Sequence, residues 1–285
     1  NYGTLTLLAD GTYQYVADAD AIATDASDVF VYTVVDGDGD LSTTTLTIDL
    51  TAVTLSPDND DVAVLEAALD LVADDRTDTL NDDLAAGSVE GSDPTNDGET
   101  VSGQLAVTGG VGTVTYEVTG GGSTAAGSYG QLQINADGSY TYTLTDPVDG
   151  DSLVPSQGGD NGNNVYDNIE TFSYTATDAN GNTVTGTITV DVTDDVPTAS
   201  ADSDSVTEGG TIAFAASTSV LANDEGGADG LAAIVGVRAD GDPADVTSDV
   251  SGGVGSPITG NYGTLTLLAD GTYQYVADAD AIATD

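Results

Sequence analysis

The sequence contains no cysteine, no histidine and no lysine, and arginine occurs only at Arg76 and Arg238. The absence of cysteine excludes disulfide bonds and thiolate metal sites. The absence of histidine excludes imidazole zinc sites and the most common general base of enzymes. Apolar runs are only a few residues long, so we expect neither a signal peptide nor a membrane-inserted segment within these residues.

Acidic residues dominate the charge of the chain. Forty-nine aspartates and glutamates give a formal net charge of −47 at pH 7. Two carboxylates about 4 Å apart repel by roughly 4 kcal/mol at an effective dielectric near 20, so clustered acids need dissolved cations if the fold is to be compact. Nucleic acids and anionic lipids are therefore disfavoured as partners. Adaptation to a salty habitat is an alternative explanation of the acidity, and under it sodium chloride alone should restore the fold.

Two repeats organise the chain. Residues 261–285 are identical to residues 1–25, at a displacement of 260 positions. Because surface substitutions cost little, this identity indicates a recently duplicated unit of a longer tandem array. Within the unit, the order Tyr-Gly-x-Leu, Asp-Gly-x-Tyr-x-Tyr, Phe-x-Tyr-Thr and Asp-x-x-Gly begins at Tyr2 and recurs from Tyr129. The 260-residue unit is therefore predicted to hold two versions of one domain.

The landmarks place the domain boundaries. Residues 1–54 carry the C-terminal strands of one domain, residues 55–197 form a complete domain with a loop-like insertion at 146–168, and residues 198–285 open the next domain. Residues 198–260 followed by a copy of residues 1–54 would complete a domain, so the terminal pieces should have exposed sheet edges. We expect neighbouring copies of the repeat to supply the missing strands, in tandem or by exchange between chains.

Alternating polarity predicts strands rather than disorder. Leu46, Ile48 and Leu50 alternate with polar residues, and turn dipeptides such as Asp10-Gly11 separate the runs. The fold class is all-β, with tandem antiparallel Ig-like β-sandwich domains. The helical spacing of Leu65, Leu69 and Val72 predicts one short helix.

These landmarks also resemble a known family. The segments YGTLTLLADGTYQYVAD and FVYTVVDGDGDLSTTTLTIDL, together with Val220-Leu221-Ala222-Asn223-Asp224, are similar to VCBS-type and bacterial Ig-like or cadherin-like repeats of giant RTX adhesins exported by type I secretion. The resemblance implies an extracellular extender or stalk domain on a bacterial cell surface, which supports adhesion or biofilm formation. It also implies that calcium stiffens the array.

The residues themselves favour calcium as well. Calcium takes six to eight hard oxygen ligands, and carboxylates, amides and loop carbonyls are the donors that this sequence offers. One candidate cluster lies in a Gly-containing turn, a second spans the junction near Pro197, and a third lies near Pro57. The candidate ligands are Asp36, Asp38 and Asp40 in the turn; Asp191, Asp194, Asp195, Asp202, Asp204 and Glu208 near Pro197; and Asp49, Asp58, Asp60 and Asp61 near Pro57.

Two other functions are compatible with parts of this sequence. Paired carboxylates can hydrolyse glycosides, but no oxyanion-hole motif accompanies them, so we expect no enzymatic activity. A carbohydrate- or ligand-binding β-sandwich module is the alternative function, with the insertion at 146–168 and Tyr166 as the candidate binding region. The sequence leaves open whether the array forms a single-chain stalk or a multi-chain filament.

Overall fold

The computed structural model describes residues 1–69, 91–94, 96–148, 165–215, 219–231, 233–240 and 244–279. These residues form strands joined by turns and loops, together with one 3-10 turn at Glu66–Ala68. The strands are β1 (Gly3–Leu7), β2 (Tyr13–Ala17), β3 (Ala26–Val35), β4 (Leu41–Leu50), β5 (Asp60–Leu65), β6 (Thr100–Gln104), β7 (Thr115–Val118), β8 (Thr124–Ala126), β9 (Gly130–Ile134), β10 (Ser139–Leu144), β11 (Val165–Thr177), β12 (Thr183–Thr193), β13 (Thr211–Ile212), β14 (Ile258–Thr259), β15 (Gly263–Leu267) and β16 (Tyr273–Ala277).

The all-β prediction is confirmed. Strands β5 to β12 form two four-stranded sheets, in the orders β6-β10-β9-β8 and β5-β12-β11-β7. On β12, Ile188, Val190 and Val192 are fully buried and alternate with more exposed residues, as a strand with one face in a core requires. Burial of each such side chain stabilises the fold by about 1.5–3 kcal/mol.

Aromatic side chains fill the space between these two sheets. The rings of Tyr142 on β10 and Phe172 on β11 lie 5.8 Å apart, and those of Tyr116 and Tyr174 lie 6.1 Å apart. Gly130 makes room for one of them, because a Cβ at that position would lie 2.2 Å from the Tyr142 hydroxyl oxygen. A larger residue at position 130 would therefore displace the ring from the core.

The landmarks repeated in the sequence form matching strands. The hairpin β1-β2 corresponds to β9-β10, and β3-β4 corresponds to β11-β12. In the first version the Tyr15 hydroxyl donates a 2.5 Å hydrogen bond to Asp28, and in the second the Tyr142 hydroxyl donates a 2.6 Å hydrogen bond to Glu170. Each bond fastens the first hairpin of its version to the second, so the two versions share a tertiary contact as well as a sequence order.

The last strands repeat the same plan. Strands β13 to β16 form a sheet in the order β13-β16-β15-β14, which matches the order β6-β10-β9-β8 of the complete sandwich. By contrast, β1-β2 and β3-β4 are each two-stranded. The terminal pieces therefore contain different parts of the sandwich.

By its contacts the chain divides into two compact units. The first comprises Asn1–Ala63, Thr100–Thr143 and Asn168–Asp191, and the second comprises Val64–Glu99, Leu144–Asp167 and Val192–Asp285. The domain boundaries drawn from the sequence at residues 54 and 197 stay a prediction.

Two local expectations differ from the structure. The predicted helix is a single 3-10 turn, because Leu65 still belongs to β5 and the chain leaves the turn at Leu69; Val72 lies outside the described residues. Of the insertion, residues 149–164 also lie outside the described residues, whereas residues 165–168 begin β11 instead of belonging to a loop.

Candidate metal centre

Three carboxylates converge in the turn between β3 and β4. Asp36, Asp38 and Asp40 are exposed, and their carboxylate oxygens lie within 4.8 Å of one another. The Asp36 Oδ1 atom accepts the backbone N–H groups of Asp38, Gly39 and Asp40 at 3.2, 2.9 and 2.8 Å. A hydrogen bond with the Asp38 side chain, together with these N–H groups, lowers the pKa of Asp36. The turn is thus organised by its own hydrogen bonds.

A second cluster combines Glu66, Asp194 and Asp229, and one carboxylate oxygen from each lies within 4.8 Å of the other two. Glu66 begins the 3-10 turn after β5, Asp194 follows β12, and Asp229 lies in a later loop. Glu66 is 0% exposed, Asp194 is half-buried and Asp229 is exposed. The cluster therefore reaches from the protein interior to the surface.

Backbone contacts position the Asp229 loop. Thr198 and Glu225 exchange two backbone hydrogen bonds, of 2.9 and 3.0 Å. Gly227 has a φ of +68°, and a Cβ there would lie 2.1 Å from the carbonyl oxygen of Asp195. Only glycine allows this close approach, which brings the loop against the segment that carries Asp194.

The carboxylate of Glu66 is held by backbone donors. Its Oε1 atom accepts the N–H of Val148 at 2.7 Å, and its Oε2 atom accepts the N–H of Asp195 at 3.0 Å. Burial raises the pKa of Glu66 to about 8, and a hydrogen bond with the Asp194 side chain and the charge of Asp229 act in the same direction against the two N–H groups. A cation placed among the three carboxylates would offset this burial and repulsion.

The structure brings Asp194 together with residues that the sequence analysis did not select. The sequence analysis missed Glu66 and Asp229 as metal ligands, although the sequence around each residue points to a special role. Glu66 is an acid inside the apolar segment VLEAAL, and Asp229 closes the stretch that begins with the family-like segment Val220–Asp224. An acid in an otherwise buried segment indicates a carboxylate with a specific partner.

The remaining predicted ligands are dispersed. Among the described residues, none of them joins a group of three carboxylates as close as the two above. Most accept hydrogen bonds from the protein instead: Asp49 from Ser27, Asp58 from the Ala106 N–H, Asp60 from Tyr140, Asp61 from Thr189, Asp191 from the Asn168 N–H, Asp195 from Ser92, and Asp204 from Tyr273. Asp202 and Glu208 are exposed.

A polar contact without clustered acids links residues on the two sides of the predicted boundary at residue 54. The Asp20 carboxylate accepts the Thr183 N–H at 3.0 Å and the Thr183 hydroxyl at 2.8 Å. The Asp20 N–H donates to the side chain of Asn182 at 3.1 Å. Asp20 has a φ of 53°, a conformation that aspartate tolerates better than most residues. This contact fixes the loop after β2 to the turn between β11 and β12.

Tyr166, the aromatic residue considered for sugar binding, is 7% exposed. A sugar stacks on an open aromatic face, so this ring does not offer such a platform. Within the described residues, no helix is both long and apolar enough to cross a membrane.

The sheets β6-β10-β9-β8 and β5-β12-β11-β7 give an all-β fold of the Ig-like β-sandwich class. Residues 1–49 match the family model of the bacterial Ig domain. No curated protein matches the chain. Two solved structures, the protocadherin gamma B4 extracellular domain and cadherin domains 1–4 of protocadherin gamma B7, align with 98% of the chain at 12% identity and a TM-score of 0.29. The chain spans 41% and 64% of their lengths, and a TM-score of this size does not define a common fold.

Proposed function

We propose that the chain is a structural extender repeat of a secreted bacterial surface adhesin or filament, in which calcium bound by Glu66, Asp194 and Asp229 stiffens successive domains. The match of residues 1–49 to the bacterial Ig domain supports the class of protein. The observation that carries the calcium proposal is the convergence of a fully buried glutamate with two further carboxylates.

The donor set suits calcium better than other biological metals. Each of the three carboxylates offers a hard oxygen ligand, and calcium accepts flexible arrangements of six to eight oxygens that include backbone carbonyls and waters. The sequence has neither the thiolates nor the imidazoles that zinc and copper favour. Bound calcium would supply positive charge and no catalytic step, so its role here is structural.

The position of the cluster in the sequence supports a stiffening role. Glu66 and Asp194 precede Pro197, where the sequence predicts a boundary, and Asp229 follows it. All three residues belong to the second compact unit, so a shared cation would hold the loop after the predicted boundary to the segments that precede the boundary. Asp20 and Thr183 make a comparable link at the earlier boundary without a metal. The proposal thus assigns one fastening contact to each boundary.

Calcium at about 10 mM would fill a site of the affinity that extracellular modules have. Extracellular modules bind calcium with dissociation constants of about 0.1–1 mM, and a ligand present at a hundred times its dissociation constant stabilises the folded state by about 2.7 kcal/mol. That amount is a large fraction of the roughly 5–15 kcal/mol by which domains are stable. The turn of Asp36, Asp38 and Asp40 is a weaker second site, because all three side chains are exposed to solvent.

Calorimetric melting of the whole chain tests the proposal. We expect the melting temperature to rise when chelator is replaced by about 10 mM calcium at low salt, and sodium chloride of equal ionic strength to give a smaller rise. Asp229→Asn should remove most of the calcium effect. Asp167→Asn, which changes an exposed aspartate on β11, is the matched control and should retain it. Equal stabilisation by sodium chloride would instead favour adaptation to a salty habitat.

A further inference from the structure

The same backbone contact occurs at both domain boundaries that the sequence predicts. Ser56 and Thr108 exchange two backbone hydrogen bonds of 2.9 and 3.2 Å, and Thr198 and Glu225 exchange two of 2.9 and 3.0 Å. Each pair lies wholly inside one of the two compact units. The first joint is defined here as residues 52–56 with 108–112, and the second joint as residues 194–198 with 225–230.

A glycine brings the two segments of each joint close together. Gly109 has a φ of +89° and Gly227 a φ of +68°, and at both positions a Cβ would lie 2.1 Å from a backbone carbonyl oxygen of the facing segment. Three positions later, Gly112 and Gly230 also have positive φ angles, of 72° and 73°. The two joints therefore share a backbone plan, and their side chains can be compared position by position.

The second joint carries acids where the first joint carries apolar residues. Asp194 and Ala52 each lie four positions before the residue that makes the paired backbone hydrogen bonds. Asp229 and Val111 each lie two positions after the close-contact glycine. Alanine and valine thus occupy, in the first joint, the positions of two of the three carboxylates that are proposed to bind calcium in the second.

Hydrogen bonds within the protein close the first joint. The Val111 N–H donates to the Asp178 carboxylate at 3.0 Å, and the Val111 carbonyl accepts the N–H of Ala179 at 2.9 Å. The Asp178 carboxylate also accepts the N–H groups of Asn180 and Asn182 and the side-chain amide of Asn182, each at 2.9 Å. Donors of the chain itself therefore compensate the charge of this carboxylate.

In the second joint, by contrast, three carboxylates face one another. One oxygen each of Glu66, Asp194 and Asp229 lies within 4.8 Å of the other two, and Glu66 is fully buried. Water screens a buried charge poorly, so the repulsion among these groups favours movement of the Asp229 loop away from the other two acids. A bound cation would attract all three carboxylates and hold the loop in place.

We infer that the two joints respond differently to calcium: the second joint opens when calcium is removed, whereas the first joint stays closed. This inference rests on the proposed calcium site and adds which joint that site controls. The 260-residue unit predicted from the sequence contains both joints, so calcium-sensitive and calcium-independent joints would alternate along an array of such units. Removal of calcium would then convert a stiff array into two-domain segments connected by hinges.

The size of the effect follows from the binding equilibrium. An opened second joint lacks the Asp229 ligand, so calcium lowers its open fraction by a factor of about one plus the ratio of the calcium concentration to the dissociation constant. For about 10 mM calcium and dissociation constants of about 0.1–1 mM, this factor is about 10–100. Amide hydrogen exchange that proceeds through local opening slows by the same factor.

Hydrogen exchange of the whole chain measures this factor at each joint. The amides of Thr198 and Glu225 report on the second joint, those of Ser56 and Thr108 report on the first, and that of the buried Val190 on β12 reports on global unfolding. We expect exchange at Thr198 and Glu225 to become about 10–100 times faster when about 10 mM calcium is replaced by chelator. Exchange at the other three amides should stay unchanged. Equal acceleration at both joints, or none at either, would overturn the inference.

Matched variants act on one joint at a time. Asp229→Val gives the second joint the residue of the first and should make exchange at Thr198 insensitive to calcium. Asp178→Ala removes the acceptor of the Val111 N–H, so it should accelerate exchange at Ser56 with or without calcium and leave Thr198 unchanged. Acceleration at both joints by either variant would contradict their independence.

Calorimetric titration of calcium into the same samples separates failure of the inference from failure of the proposed function. Calcium binding that Asp229→Asn abolishes, combined with equal responses of the two joints, would overturn the inference and leave the proposed calcium site intact. Absence of calcium binding would overturn both.

Discussion

Tyr13 and Tyr273 occupy the same position in two identical segments, yet the Tyr273 hydroxyl donates a hydrogen bond to Asp204 while Tyr13 is 52% exposed. The difference arises from what lies beside each hairpin. Residues 204–260 accompany the second hairpin and supply the acceptor. The identical pair therefore acts as an internal control for the effect of tertiary context on one sequence.

This pair gives a prediction about stability. Tyr273→Phe removes a hydrogen bond to a charged acceptor and should lower the free energy of unfolding by about 1 kcal/mol, whereas Tyr13→Phe should change it little in dilute solution. Urea unfolding of both variants at low protein concentration measures the difference. Equal losses would show that Tyr13 already has an acceptor within the chain.

The hydrogen bond between Tyr142 and Glu170 should contribute more to the free energy of unfolding than the bond between Tyr273 and Asp204. Both residues are buried, and Glu170 also accepts the backbone N–H of Tyr129 at 2.9 Å. Tyr142→Phe leaves a buried carboxylate with fewer donors and should cost about 1–3 kcal/mol. The corresponding Tyr15→Phe change affects a half-buried ring and should cost less. Denaturant unfolding that ranks the two variants in the reverse order would contradict this reasoning.

The turn between β11 and β12 should make the fold less stable at low pH. Burial tends to raise the pKa of Asp178, but hydrogen bonds from the Asn182 side chain and from the N–H groups of Val111, Asn182 and Asn180 outweigh it and lower the pKa to about 2. The folded state thus binds fewer protons than the unfolded state between the ordinary value of 3.8 and about 2, and stability falls as pH falls through this range.

Asp178→Asn isolates that contribution. Its carboxylate stabilises the fold above pH 3.8, so the difference in melting temperature between the natural chain and the variant should be largest there and shrink toward about pH 2. Thermal melts followed by circular dichroism across this range measure it. A difference that stays constant with pH would mean that the Asp178 charge does not stabilise the turn.

The contact between Asp20 and Thr183 should protect the Thr183 amide from hydrogen exchange. Asp20→Ala removes the acceptor of the Thr183 N–H, so hydrogen exchange at Thr183 should become faster while exchange in the centre of β12 stays slow. Asp18→Ala changes a nearby exposed aspartate and serves as the control. Unchanged exchange at Thr183 in the Asp20 variant would show that the loop after β2 does not hold this turn.

Much of the fold could be predicted from the sequence, because the residue pattern that favours a strand lies within the strand itself. The alternation of Leu46, Ile48 and Leu50 on β4 and the Asp-Gly turns predicted antiparallel sheets, and the repeated landmarks predicted matching strands. The cluster of Glu66 with Asp229 could not be predicted from the sequence, because more than 160 positions separate these residues and only the folded backbone brings them together. For Asp60 and Asp204 the structure shows a contact that the sequence did not predict, and their role as metal ligands stays a prediction. Each of these two carboxylates accepts a hydrogen bond from a tyrosine hydroxyl.

Isothermal titration of calcium into the metal-free chain tests the central claim most directly. The account predicts a binding event with a dissociation constant of about 0.1–1 mM, which Asp229→Asn abolishes and the control Asp167→Asn preserves. Identical calcium binding by the natural chain and the Asp229 variant, or no binding by either, would contradict a calcium site formed by Glu66, Asp194 and Asp229.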